Sequence, residues 1–135
     1  MVLGASGSNV ANLSDFDLDY RYGAAGESLV NQLLTGGKTV EVKRDRKWHM
    51  TGNVFLEMEC WYQGTESWKP SGVTTSKADY WAFVLKSSVL MVQFDVLVIA
   101  MAKYGKRIEC NIDPNKSRGY LLSVEHLMRA IKESD

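Results

Sequence analysis

The alternation of apolar and polar residues changes period several times along the chain, and each change marks an element. From Gly23, the stretch AAGESLVNQLLTGG places Leu29, Val30, Leu33 and Leu34 at helical spacing and ends in Gly36-Gly37, a natural helix stop. Before it, Asp15, Asp17 and Asp19 alternate with Phe16, Leu18 and Tyr20, which predicts a short extended acidic entry. The period then becomes two. In KTVEVKRD, Val40 and Val42 share one face while Glu41, Lys43 and Asp45 share the other. In VFLEMECW, Val54, Leu56, Met58 and Cys60 oppose Phe55, Glu57, Glu59 and Trp61. Two strands so closely joined predict an antiparallel hairpin.

GTESWKPSGVTTSKAD reads as a loop, with one helical turn near Thr75 to Asp79. YWAFVLK is a third strand, and the next apolar run predicts a strand around 89–93 followed by a helix near Asp95. RGYLL is a short strand. Ser123 then caps a last helix, VEHLMRAIKES, with Leu127, Ala130 and Ile131 inward. No internal repeat interrupts this order. The expectation is an α/β chain with a frayed segment at 1–13 and a single domain over 14–135, a size one core can fill.

Composition changes this picture little. The 16 Lys and Arg balance 16 Asp and Glu, which excludes a histone-like protein that holds nucleic acid by net charge. Cys60 and Cys110 are too few for a disulfide scaffold or a four-ligand zinc site, and read as reduced thiols of a cytoplasmic protein. The longest apolar run, Val96 to Ala102, is far short of a membrane span, so no membrane partner is expected.

The candidate chemistry lies in the acidic residues. Glu27 falls on the apolar stripe of its helix, where a carboxylate needs either a partner or a path to water. Glu41 and Lys43 project from one strand face about 6–7 Å apart, and Glu57 on the next strand adds a third group, with Asp45 and Glu59 at the edge. Crowded carboxylates repel unless a cation separates them, and oxygen donors suit Mg²⁺ or Mn²⁺. A lysine beside such an ion suits phosphodiester hydrolysis. The same alternation of Glu and Lys also describes any solvated strand face.

The run from Gly26 to Asp79, GES…VEVKRD…TGNVFLEME…SG…TT…AD, resembles short phage-type proteins of the PD-(D/E)xK nuclease superfamily, to which restriction endonucleases and Holliday junction resolvases belong. The resemblance implies a restriction-endonuclease-like core with a mixed central sheet and flanking helices. It also implies a Mg²⁺-dependent deoxyribonuclease, with Glu27, Glu41 and Glu57 as metal ligands and Lys43 as the catalytic lysine. DNA would be the substrate, a homodimer the natural assembly, and the host cytoplasm the location of a phage-encoded member. The chain departs from the pattern in two ways: no Pro-Asp pair precedes the acids, and Glu59 stands where the superfamily has its lysine. Either the lysine has migrated to position 43, or Glu41-Val42-Lys43 is itself the (D/E)xK element. The alternative function is a catalytically inactive nucleic-acid-binding or phage interaction protein of the same fold.

Two basic segments could hold a phosphate backbone. Lys38, Lys43, Arg44, Arg46 and Lys47 cluster in 36–50, and Lys103, Lys106, Arg107, Lys116 and Arg118 in 103–118, where solvated loops are an equal reading. Arg44, Arg46, Lys47, Ser71, Thr75 and Lys77 are the candidate nucleic-acid contacts. The hydroxyls of Ser71, Thr74 and Thr75 either donate to a phosphate or to Glu57, or shape the turn. Trp48 and Trp68 either stack on unpaired bases or are buried at a contact, and His49 is a base or a spectator.

Overall fold

The computed structural model describes residues 13–112 and 115–135. The frayed segment expected at 1–13 falls, apart from its last residue, outside the described residues. By its internal contacts the chain divides into two compact units between Lys38 and Thr39, whereas the sequence reading set its only boundary at residue 13.

The first unit carries one helix, α1 (Leu13–Thr35). It begins ten residues before the stretch that predicts it, so the acidic entry is helical rather than extended. Asp15, Asp17 and Asp19 lie within this helix. Its apolar residues Leu29, Val30 and Leu34 are all exposed.

The second unit contains β1 (Val40–Lys43), α2 (Trp48–Thr51), β2 (Asn53–Tyr62), β3 (Ser67–Pro70), β4 (Tyr80–Val84), β5 (Val89–Gln93), α3 (Phe94–Tyr104), β6 (Lys106–Ile112), β7 (Asn115–Ser123) and α4 (Val124–Ser134). They form two sheets rather than one central sheet. The first is mixed, in order β1-β4-β5, with β1 and β4 parallel; the second is antiparallel, in order β3-β2-β7-β6. The hairpin expected from β1 and β2 is therefore absent. Both edges of β2 are taken by β3 and β7, which leaves β1 to pair with β4.

The two sheets share one core. Val54, Leu56 and Leu122 of the antiparallel sheet meet Trp81, Phe83 and Val92 of the mixed sheet and Leu97, Ala100, Met101, Leu127 and Ala130 of the two helices. Ser123 caps α4 as expected, accepting from the His126 amide at 2.9 Å. Asp95 lies in the first turn of α3 rather than at its cap, which is Gln93. The loop predicted over 64–79 instead holds β3 and a 3-10 turn at Gly72–Thr74, before the helical turn expected near Thr75. The basic loop expected at 103–118 is largely the β6–β7 ribbon.

Gly119 of β7 makes the close approach of β2 possible, since a Cβ there would lie 2.0 Å from the Leu56 carbonyl oxygen. Directly opposite, β2 is bulged: Glu57 pairs with Gly119 and Glu59 with Arg118, so Met58 is an extra residue. No helix among the described residues is long and apolar enough to cross a membrane.

Candidate functional site

Position on a strand decides where the acidic side chains go. Glu41 pairs with Trp81 and Lys43 with Phe83, so both project on the side of the mixed sheet that carries those buried aromatics. The sequence pattern suggests the reverse, with the valines inward, yet Val42 is 62% exposed. Because β1 is an edge strand, its charged residues reach the rim of the core while their heads stay near solvent. Lys43 Nζ lies 2.9 Å from Glu41 Oε1 and 5.4 Å from the Trp81 ring centre.

Asp79, immediately before β4, fixes the register of β1. Its carboxylate accepts from the Thr39 amide at 3.0 Å and the Thr39 hydroxyl at 3.2 Å, and its own amide donates to the Thr39 carbonyl at 3.0 Å. The sequence pattern sets Asp79 at the end of a helical turn and does not reveal this role, because its partner is forty residues away.

Glu57 arrives from the other sheet. The bulge at Met58 places Glu57 and Glu59 on opposite faces, against the simple alternation that puts them together. Cys60 comes to the Glu57 side, and its thiol donates to Glu57 Oε1 at 3.2 Å. Burial pushes the Cys60 thiol above its ordinary pKa, and the hydrogen bond to and charge of Glu57 add to this. Ser71 offsets part of the shift, although its buried Oγ makes no well-formed hydrogen bond among the described residues. Gly72, at φ +55°, lets the turn lie directly against Glu57, since a Cβ there would meet the Glu57 carbonyl oxygen at 2.3 Å.

Glu41, Lys43 and Glu57 line one cleft of about 470 Å³, together with Thr39, Thr75, Ser76 and Lys77. Three of the four expected catalytic residues thus meet within the second unit. Glu27, exposed in α1, belongs to the first unit. Among the described residues, no three His, Cys, Asp or Glu side chains are grouped closely enough to hold a metal ion. Two acidic residues, Glu41 and Glu57, line the cleft, and Mg²⁺ is often held by one or two protein carboxylates with water and phosphate oxygens completing its shell.

The remaining candidates sort by contact. Of the expected nucleic-acid contacts, Thr75 and Lys77 line the cleft, while Ser71 does not and has its Oγ buried. Thr74 shapes the turn, donating to the Met58 carbonyl at 2.8 Å. Ser76, which sequence reading passed over, accepts from Trp81 Nε1 at 3.1 Å on the cleft wall. Asp45 is structural: its two oxygens accept the backbone amides of Lys47 at 2.8 Å and Phe55 at 3.2 Å. Arg44 and Arg46 line a second cleft with Trp48 and His49, whereas exposed Lys47 lines neither.

The second basic segment is compensated only in part: Lys106, Arg107 and Lys116 form no ion pair among the described residues. Lys103 pairs with Glu133, and Arg118 lies 3.6 Å from Glu59 and 3.9 Å from Glu109. Trp68 is likewise engaged, with the Arg118 guanidinium 3.7 Å from its ring centre and Trp61 against it edge-on. Cys60 and Cys110 are both free thiols. Compared with known proteins, the chain matches no family model, no curated protein and no solved structure.

Proposed function

We propose that the second unit is a metal-dependent deoxyribonuclease of restriction-endonuclease-like fold. The observation that carries this reading is the convergence of Glu41 and Lys43 from β1 with Glu57 from β2 on one cleft, although the two strands belong to different sheets. Glu41 and Glu57 would hold Mg²⁺ or Mn²⁺, which when bound polarises the phosphate and activates water. Lys43, already 2.9 Å from Glu41, places its ammonium where negative charge grows on the phosphoryl oxygens. Thr75 and Lys77, which line the same cleft, would position the neighbouring backbone phosphate. Cys60 steadies the Glu57 carboxylate through its thiol hydrogen bond.

Glu59 in the expected lysine position does not count against activity. Its side chain leaves the opposite face of β2 towards Arg118, so a lysine there would not reach Glu57's cleft. Lys43 fills that role from β1.

A second reading, an inactive nucleic-acid-binding protein, draws support from the pairing of both carboxylates with protein groups, Glu41 with Lys43 and Glu57 with Cys60. Labelled duplex, single-stranded, flap and four-way DNA incubated with Mg²⁺ or Mn²⁺ separates the two. The nuclease reading expects cleavage of at least one substrate, lost in Glu41→Ala and reduced about 100-fold or more in Lys43→Ala, the size of a lost electrostatic donor. Retention of DNA without cleavage under either metal favours the second reading.

A further inference from the structure

The strongest remaining feature of the second unit is the other cleft, which the hydrolytic chemistry does not use. It has a volume of about 610 Å³, within the roughly 300–1,000 Å³ usual for small-molecule sites. Arg44, Arg46 and Lys86 bring three positive charges to it, and none of the three forms an ion pair among the described residues. The single acid in its lining, Asp45, spends both carboxylate oxygens on backbone amides. Trp48, half-exposed at the start of α2, supplies an aromatic wall, and exposed His49 a polar edge. Cations and an indole facing one cavity match the two halves of a nucleotide, phosphate and base.

Its place on the chain links it to the first cleft. Lys43 lines one and the next residue, Arg44, lines the other, with successive side chains leaving opposite faces of the strand and its extension. Trp68, in β3, is covered by Arg118. Of the two, Trp48 in α2 is thus the one that lines the cleft of Arg44, Arg46 and Lys86.

We propose that this cleft takes one unpaired nucleotide of a DNA strand, its base stacked on Trp48 and its phosphate held by Arg44, Arg46 and Lys86. The choice of DNA rests on the deoxyribonuclease reading; the nucleotide chemistry rests on the cleft. The substrate class is then DNA with a single-stranded segment rather than continuous duplex. A base paired within a duplex is already stacked on its neighbours and hidden from the indole.

Fluorescence anisotropy in EDTA, with a labelled dT oligonucleotide and a blunt duplex of equal length, tests this without any cleavage. The intact protein binds the single strand more tightly than the duplex. Trp48→Ala weakens single-strand binding roughly 5- to 150-fold, the range of one lost base stack, and leaves duplex binding unchanged; Trp48→Phe restores most of it. Lys86→Ala, in an exposed loop position where misfolding is not at issue, lowers the slope of log affinity against log salt by about 0.7. Duplex bound as tightly as single strand, or Trp48→Ala and Lys86→Ala both indistinguishable from the intact protein, overturns the proposal. Because no metal is present, these outcomes are independent of the cleavage assay. Loss of the nuclease reading would appear there, as uncut DNA, and not here.

Discussion

At the scale of single residues, the direction of one side chain separates this chain from a simple strand pattern. Alternation places Glu57 and Glu59 together, and the bulge at Met58 separates them. Glu59→Lys, which restores the superfamily's spacing, is therefore expected to leave DNA cleavage no higher than in the intact protein. It should instead cost up to about 1 kcal/mol in urea unfolding, by setting a lysine directly opposite Arg118. A marked gain in cleavage would mean that residue 59 reaches the cleft. Asp45 makes a complementary case. The sequence offers it as a spare acid of the site, yet it is an acceptor for two backbone amides that ties the chain after β1 to β2. Asp45→Ala is expected to destabilise the second unit by about 1–3 kcal/mol, read from the urea midpoint, without abolishing cleavage. Neither role was legible beforehand, because a bulge and a backbone-capping carboxylate are set by partners distant in sequence.

At the scale of elements, local signals were the readable ones. The strand at 89–93, the helix after it and the Ser123 cap follow from residues within one or two turns of each other, and they are found as expected. Pairing was not readable: β1 joins β4 in parallel across a crossover, and the basic stretch after α3 is a strand. The two helices also make a contact that only their packing reveals. Lys103 and Tyr104 of α3 both donate to the Glu133 carboxylate of α4. The Lys103 hydrogen bond holds Glu133 below its ordinary carboxylate value, with Tyr104 adding to the effect; the same bond to Glu133 raises Lys103. A lowered acid stabilises the fold above its ordinary pKa of 4.5 and loses that contribution as pH falls through the lowered value. A raised lysine contributes below its ordinary 10.5 and loses this as pH rises through the raised value. The thermal midpoint of the intact protein should exceed that of Glu133→Gln near neutral pH, and the gap should close towards strong acid and strong alkali. A gap constant across that range would show that the contact contributes nothing electrostatic.

At the scale of the whole molecule, zero net charge conceals an uneven distribution. Arg118 of β7 is set between internal acids, while Arg44 and Arg46 after β1 open onto a cleft. Sequence composition reports only the sum, so which cluster is available depended on the β6–β7 ribbon bringing Arg118 between Glu59 and Glu109. The meeting of Glu41, Lys43 and Glu57 in one cleft follows their strand positions, even though the pairing assumed for those strands does not form. The central claim is that Glu41 and Glu57 jointly hold a divalent cation. Crystals soaked in Mn²⁺ and measured for anomalous scattering test it most directly. A peak is expected in the cleft between the two carboxylates, absent from Glu41→Ala crystals; manganese bound only elsewhere, or a cleft peak that survives that substitution, would contradict a cation held jointly by Glu41 and Glu57.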